Sequence, residues 1–183
     1  MMPIGPLMIE HRLIERMIAL MSDRLKHLRR ENQTDPLFID KAVHFIRVYA
    51  DECHHGKEED ILFKQLQNKS LTQEHRRTIT ELMEEHAWGR KTTGRLVKAN
   101  EDYRNGDPEA LKTIETLLDD LVTFYPQHIQ KEDKGFFIPV MHYFTDAEKD
   151  AMLKDGQVFD SDLFHKEFDR MVSSLEGVEN SDK

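Results

Sequence analysis

From Leu7 onward, apolar residues return every three or four positions: Leu7, Ile14, Ile18, Met21, Leu25 and Leu28 form one line, with His11 set inside it. That spacing predicts an amphipathic helix with one buried face. The pattern resumes as Val43, Ile46 and Ala50 leading to His54, and as Ile79 and Leu82 leading to His86, Thr93 and Val97. It returns once more as Ile114, Leu117, Leu121 and Phe124 leading to His128, Glu132 and Phe136. Breaks fall at ENQTDP (31–36), QNKSLT (67–72) and YRNGDP (103–108), stretches whose Asn, Asp, Ser, Gly and Pro favour turns and helix N-caps. Alternating β-branched and aromatic runs are nearly absent, so strands are not expected. A fifth, shorter helical stretch follows TDAEKD (145–150) and ends in the polar tail GVENSDK.

Short connections make successive long helices antiparallel. The predicted fold is therefore all-α: an up-down-up-down antiparallel four-helix bundle over residues 1–144. Residues 145–183 add a C-terminal helical extension and polar tail within the same domain. Pro126 lies inside the fourth segment, where a kink or a local restart of the helix is expected.

Composition narrows the function more than the fold. The 183 residues carry a formal net charge of −9, which argues against nucleic acid and anionic membranes as partners. No apolar run approaches the roughly 20 residues of a membrane span. The start, MMPIGPLMIEHRLIE, lacks a basic segment followed by an apolar core, so no signal peptide is expected. Cys53 is the single cysteine, which excludes an internal disulfide framework and suits a reducing, cytoplasmic setting.

Ten histidines are many for this length, and their placement matters more than their number. From His11 to the first break and back to His54 is about 18–20 residues each way, roughly 27–30 Å of helix. The paths from His54 and His86 to the second break, and from His86 and His128 to the third, are likewise matched in length. One inward histidine per helix thus arrives at one level of the bundle, with Glu58 and Glu132 each one turn beyond a histidine. At His54–His55 the helical phase chooses between two pairs. His54 and Glu58 continue an apolar line, whereas His55 and Glu59 continue the polar line His44, Val48, Asp51. His54–Glu58 is expected inside, and His55–Glu59 on a flank as a solvated or supporting pair. Four buried imidazoles and two carboxylates need compensation, which metal ions supply. Imidazole with carboxylate suits iron, and zinc, manganese or copper to varying degrees. Two His-x-x-x-Glu pairs with potentially bridging glutamates argue for a dinuclear, carboxylate-bridged site, with iron favoured.

CHHGKEEDILF (53–63), ELMEEHAWGR (81–90) and FYPQHIQKEDKGFF (124–137) resemble the hemerythrin family in its His-His-Glu cation-binding form, over residues 7–144. The resemblance implies a metal set of His11, His54, Glu58, His86, His128 and Glu132 holding two non-haem irons. It also implies binding or sensing of oxygen, nitric oxide or iron itself. The alternative is a di-iron enzyme, reducing peroxide, oxidising ferrous iron or donating iron for cluster repair; a third reading is a metal-free or zinc-stabilised interaction module. Ferritin-like carboxylate chemistry ranks lower, because it uses Glu-x-x-His. The chain also departs from the oxygen carriers. Arg90 stands where they have a second histidine on the third helix, and His128-x-x-x-Glu132 replaces their His-x-x-x-x-Asp. One of seven usual ligands is missing, which counts against reversible oxygen carriage. His55, Glu85, His165 and a water are the candidates to fill the gap.

Overall fold

The computed structural model describes residues 2–160 and 162–181, and among these every regular element is helical. Helix α1 spans Ile4–Glu31 and ends where Asn32 turns left-handed (φ 52°) and donates its N–H to Leu28 O. A continuous second rod, α2 (36–66), starts with Pro36 after Asp35, whose side chain accepts from Leu37 N at 2.9 Å. Helix α3 (Gln73–Arg104) is capped by Thr72, and the fourth rod, α4 (110–140), follows the turn at Gly106, where φ is 84°. Helix α5 (Asp146–Phe159) begins with a reciprocal capping box between Thr145 and Glu148. Helix α6 (Asp162–Ser181) closes the described chain.

The extension is therefore two helices, broken at Asp160, rather than one short stretch with a polar tail. GVENS, assigned to that tail from its polarity, continues α6 to Ser181. Phe168, Val172 and Leu175 recur at helical spacing and are buried, which ties the helix to the core. Pro126 sits inside the α-helical part Ala110–Gln130 without ending it. No helix among the described residues is long and apolar enough to cross a membrane.

Rod α3 packs on α2 and α4, α4 packs on α1, and α6 lies on α1. The apolar core is split in two. The larger cluster takes Leu13 to Leu28 from α1, Phe38 to Ala50 from α2, Leu96 and Ala99 from α3, and Ile114 to Ile129 from α4. The smaller takes Ile4 and Leu7, then Ile61 to Leu66, Ile79 and Leu82, and Phe136 to Val140. On every rod the buried histidines fall at or beside the junction between the two clusters. The sequence lines hold with local shifts: Tyr125 and Leu96 occupy core places where Phe124 and Val97 are only half-buried.

Within the four rods, three stretches depart from the α-helix. Ile46–His55, Glu58–Phe63 and Lys131–Phe136 are π-helical, with i→i+5 bonds and a wider turn. Such segments occur frequently at functional sites, and here they carry His54, His55, Glu58 and Glu132.

The anchoring of α6 is testable. Phe168 packs against the rings of Phe45 and Tyr49, each at 5.7 Å. Phe168→Ala should lower unfolding free energy by about 3 kcal/mol in urea titrations. A loss below about 1 kcal/mol would mean that α6 is not part of the packed core.

Candidate metal centre

His11, His54, Glu58, His86, His128 and Glu132 are all buried and meet in one place, supplied by four different rods. Each rod presents its histidine one turn or less from the junction of the two apolar clusters, and a neighbouring rod holds that histidine's outer nitrogen. His54 Nδ1–H of α2 donates to Glu10 of α1, and His86 Nδ1–H of α3 donates to Glu59 of α2. His128 Nδ1–H of α4 donates to Glu85 of α3, and His11 Nδ1–H of α1 donates to Asp133 of α4. All four bonds measure 2.7 Å. They form a closed ring, α1 to α2 to α3 to α4 and back to α1. A carboxylate can only accept, so each ring carries a proton on Nδ1 and turns Nε2 inward as the nitrogen open to a proton or an ion.

A cation backs every carboxylate of the ring, and it comes from the same rod as the histidine being held. Lys57 pairs with Glu10, Arg90 with Glu59, Lys131 with Glu85, and Arg12 with Asp133. Arg90 thus has a defined role at the place of the absent histidine. Its guanidinium lies 2.5 Å from Glu59 and 2.7 Å from Asp51.

Inside the ring, the donors divide into two groups. His11, His54, Glu58 and Glu132 bring ligand atoms within 4.8 Å of one another, and so do His55, His86 and His128. The two glutamates face both groups. Glu58 Oε1 lies 3.4 Å from His54 Nε2, and Glu58 Oε2 lies 3.3 Å from His86 Nε2. Glu132 Oε2 lies 3.2 Å from His11 Nε2, and Glu132 Oε1 lies 3.3 Å from His128 Nε2. All four carboxylate oxygens, with His86 Nε2 and His128 Nε2, are buried without a hydrogen-bond partner. Orphaned acceptors at this density are costly. His11 Nε2 and His54 Nε2 approach to 2.9 Å, so a proton or a cation must lie between the facing lone pairs. The residues present fit metal ions.

Protonation in the metal-free chain tells the same story. Burial lowers the basicity of His11, but its bond to Asp133 and the facing carboxylate of Glu132 outweigh this and raise it to about 9. Burial and the nearby His11 charge push His54 down to about 4. Burial, with His86, His54 and His128 close by, holds His55 well below the usual imidazole range. Burial and the charge of Glu132 raise Glu58 well above an ordinary carboxyl. Glu132 is held low: three histidines overcome the opposite effect of its burial. Protons on His11 and Glu58 stand in for positive charge that ions would bring.

The placement of His55 corrects the sequence expectation. It is buried, not on a flank, and stacks on His86 with ring centroids 3.9 Å apart and planes at 9°. In an α-helix neighbouring residues point about 100° apart. The π-helical turn through Ile46–His55 advances the direction less per residue, so both adjacent histidines face inward. His55 does not pair with Glu59; its Nδ1 lies 3.3 Å from Asp51, four residues back. Glu59 holds His86 as a supporting group. Of the other candidates for the gap, Glu85 holds His128 from outside, and His165 lies with Asp160 and Tyr49 away from the inner donors.

Sequence reasoning also missed most of the ring. Glu10, Glu59, Glu85 and Asp133 each sit beside an inward residue of their own rod, at Glu10–His11, Glu58–Glu59, Glu85–His86 and Glu132–Asp133. An acidic residue next to His11, Glu58, His86 and Glu132 was the available signal, although its partner always lies on another rod.

The raised Glu58 has a consequence for metal-free protein. The unfolded chain loses this proton near pH 4.5, while the folded chain keeps it to higher pH. Glu58 therefore costs folding stability increasingly as pH rises above about 4.5. Metal-free Glu58→Gln, which keeps the shape without ionising, should be more stable than metal-free parent at pH 8. The difference should vanish toward pH 4.5 in denaturant titrations; equal stability at pH 8 would contradict the burial argument.

Comparison with curated proteins and with solved structures gave no match. A family model did match: Hemerythrin, described as the hemerythrin HHE cation binding domain, over residues 2–138. That interval holds every inner donor and the whole carboxylate ring, and the chain belongs to the hemerythrin HHE cation-binding family.

Proposed function

We propose that the chain is a non-haem di-iron protein that binds or senses a small diatomic molecule, oxygen or nitric oxide, or iron itself. The observation that carries this reading is the buried, unpartnered set of oxygens on Glu58 and Glu132, facing histidines on both sides. The bundle runs up-down-up-down in this reading. The larger apolar cluster follows the histidine on α1 and α3 and precedes it on α2 and α4, which supports alternating rods. Residues 145–183 act as an extension of the same domain, supported by the packing of α6 on α1.

His11 and His54, with one oxygen each from Glu58 and Glu132, would hold one ion. His55, His86 and His128, with the other two oxygens, would hold the second. Imidazole and carboxylate suit iron, which supplies redox change and affinity for diatomic ligands. The chain's own residues aim and protect the donors. The carboxylate ring fixes each tautomer and ring plane, which raises ligand basicity. Phe137 stacks on His11 at 5.7 Å, Phe63 on His86 at 6.1 Å, and Phe124 on His128 at 5.1 Å, keeping water from the histidine faces. The two sides are unequal: the two-histidine side has one fewer protein donor, so an exogenous ligand would find room there.

Protein purified without added metals should carry about two irons per chain and show the charge-transfer absorption of a bridged ferric pair. His54→Ala with His128→Ala should remove most of the metal, while His27→Ala on the exposed face of α1 should not. Full loading of that double variant, or zinc in place of iron, would overturn the reading. Turnover of peroxide or ferrous iron by the loaded protein would redirect it toward an enzyme.

Substitutions separate inner from outer groups. Glu58→Ala should abolish paired loading, and His55→Ala should leave about one iron on the two-histidine side. Glu59→Gln should retain both sites with affinity weakened about 10–100-fold, as expected for loss of a supporting carboxylate. If Glu59→Gln is empty and Glu58→Ala is fully loaded by metal analysis, the division drawn here is wrong. Acid should strip the metal, because bound histidines must be neutral.

A further inference from the structure

A cavity of about 190 Å³ lies outside the metal centre, between the start of α1, the 57–62 stretch of α2, and α5. It runs from the exposed Gln157 and the half-exposed Gly156 inward to the buried Lys57. Its walls are Ile4, Leu7, Ile61, Leu62, Met152 and Leu153, and its polar lining includes Lys57 and Asp160. An apolar cavity of about 150 Å³ in another protein stays dry and takes benzene, so this one has room for a six-membered ring.

The inner end is chemically specific. Lys57 alone among the cations of the ring is buried; Arg12, Arg90 and Lys131 are at least one-third exposed. Its ammonium donates to Glu10 and to Asp160. An ammonium has three N–H donors, so among the described residues one is left to an occupant of the cavity. Charge then decides the class of occupant. One ammonium already faces two carboxylates, and an acidic head group would bring a third negative charge into a poorly solvated corner. His165, with Nε2 at 3.2 Å from Asp160 and 3.9 Å from Glu10, does not line the cavity. A neutral acceptor meets no such penalty and receives a charge-assisted bond.

We propose that this cavity is a binding site for a small neutral ring-sized molecule carrying one carbonyl-type acceptor, with Lys57 as the donor. The site does not depend on the metal centre being loaded, and so stands apart from the function proposed above.

The test uses the purified full chain and three probes of similar size, with binding followed by protein NMR shifts. Cyclohexanone has the acceptor, methylenecyclohexane has nearly the same shape without it, and cyclohexanecarboxylate carries the charge. Cyclohexanone should bind about tenfold tighter than methylenecyclohexane, the worth of one hydrogen bond to a charged group. It should also bind tighter than the carboxylate. Gly156 lines the cavity and a Cβ there meets nothing within 4 Å, so Gly156→Leu adds an apolar side chain at the cavity wall without a clash at Cβ. That variant should melt at the parent temperature or above and lose cyclohexanone binding, while Gly94→Leu on α3, also unobstructed, should keep it. Undiminished binding to Gly156→Leu, equal affinity for the two isosteric probes, or preference for the carboxylate would each overturn the proposal.

Discussion

Four hydrogen bonds between carboxylates and imidazoles hold this molecule's centre in shape. Each joins two rods: Glu10 to His54, Glu59 to His86, Glu85 to His128 and Asp133 to His11. No rod can turn or slide without breaking two of them, because every rod both lends a carboxylate and receives one. The register set by the caps at Asp35, Thr72 and Asn32 matters for this reason. A shift of one residue would carry the acceptor about 100° around its helix. Charge-assisted and at least partly buried, such bonds are stronger than neutral ones, but the ring is costly to maintain without ions. The orphaned oxygens of Glu58 and Glu132 sit at its middle.

The donor set exists only once four distant segments have come together. Metal held by it would bind the folded chain and not the unfolded one, so binding free energy would add to folding free energy. The ring does part of that assembly beforehand. It selects one tautomer at His11, His54, His86 and His128, and leaves to the ion only the displacement of protons. The surrounding apolar clusters then limit water on both sides of the level, one toward each end of the rods.

Much of this was legible in the chain, and what was not has a physical reason. Apolar spacing located the long rods and placed His11, His54, His86 and His128 on their inner faces, because helical periodicity is a local property. A single helical period puts His55 on a flank, whereas Ile46–His55 is wound as a π-helix that turns it inward. Nothing in the residue types there announces the wider turn. Arg90 was noticed as a missing histidine, but its bond to Glu59 and Asp51 depends on the packing of α3 against α2. The outer carboxylates escaped for the same reason: adjacency on one rod conceals a partnership across two. The break at Asp160 within the extension follows no Gly or Pro, and only the tertiary contact of Lys57 with Asp160 shows what it serves.

The ring is not symmetric in its surroundings. At three of its links the backing cation reaches solvent, where such pairs contribute little to stability. At the fourth, Lys57 is buried between Glu10 and Asp160, and removing Lys57 would leave two carboxylates inside without their shared cation. Asp160 and its neighbour His165 belong to the extension, beyond the residues 2–138 that the family model matches. The ring and its inner donors lie within the matched residues, while the extension closes over a single link. Glu10 is the carboxylate at that link, and it orients His54 on the side with fewer protein donors. Lys57 thus ties Asp160 of the extension to Glu10, and through Glu10 to His54.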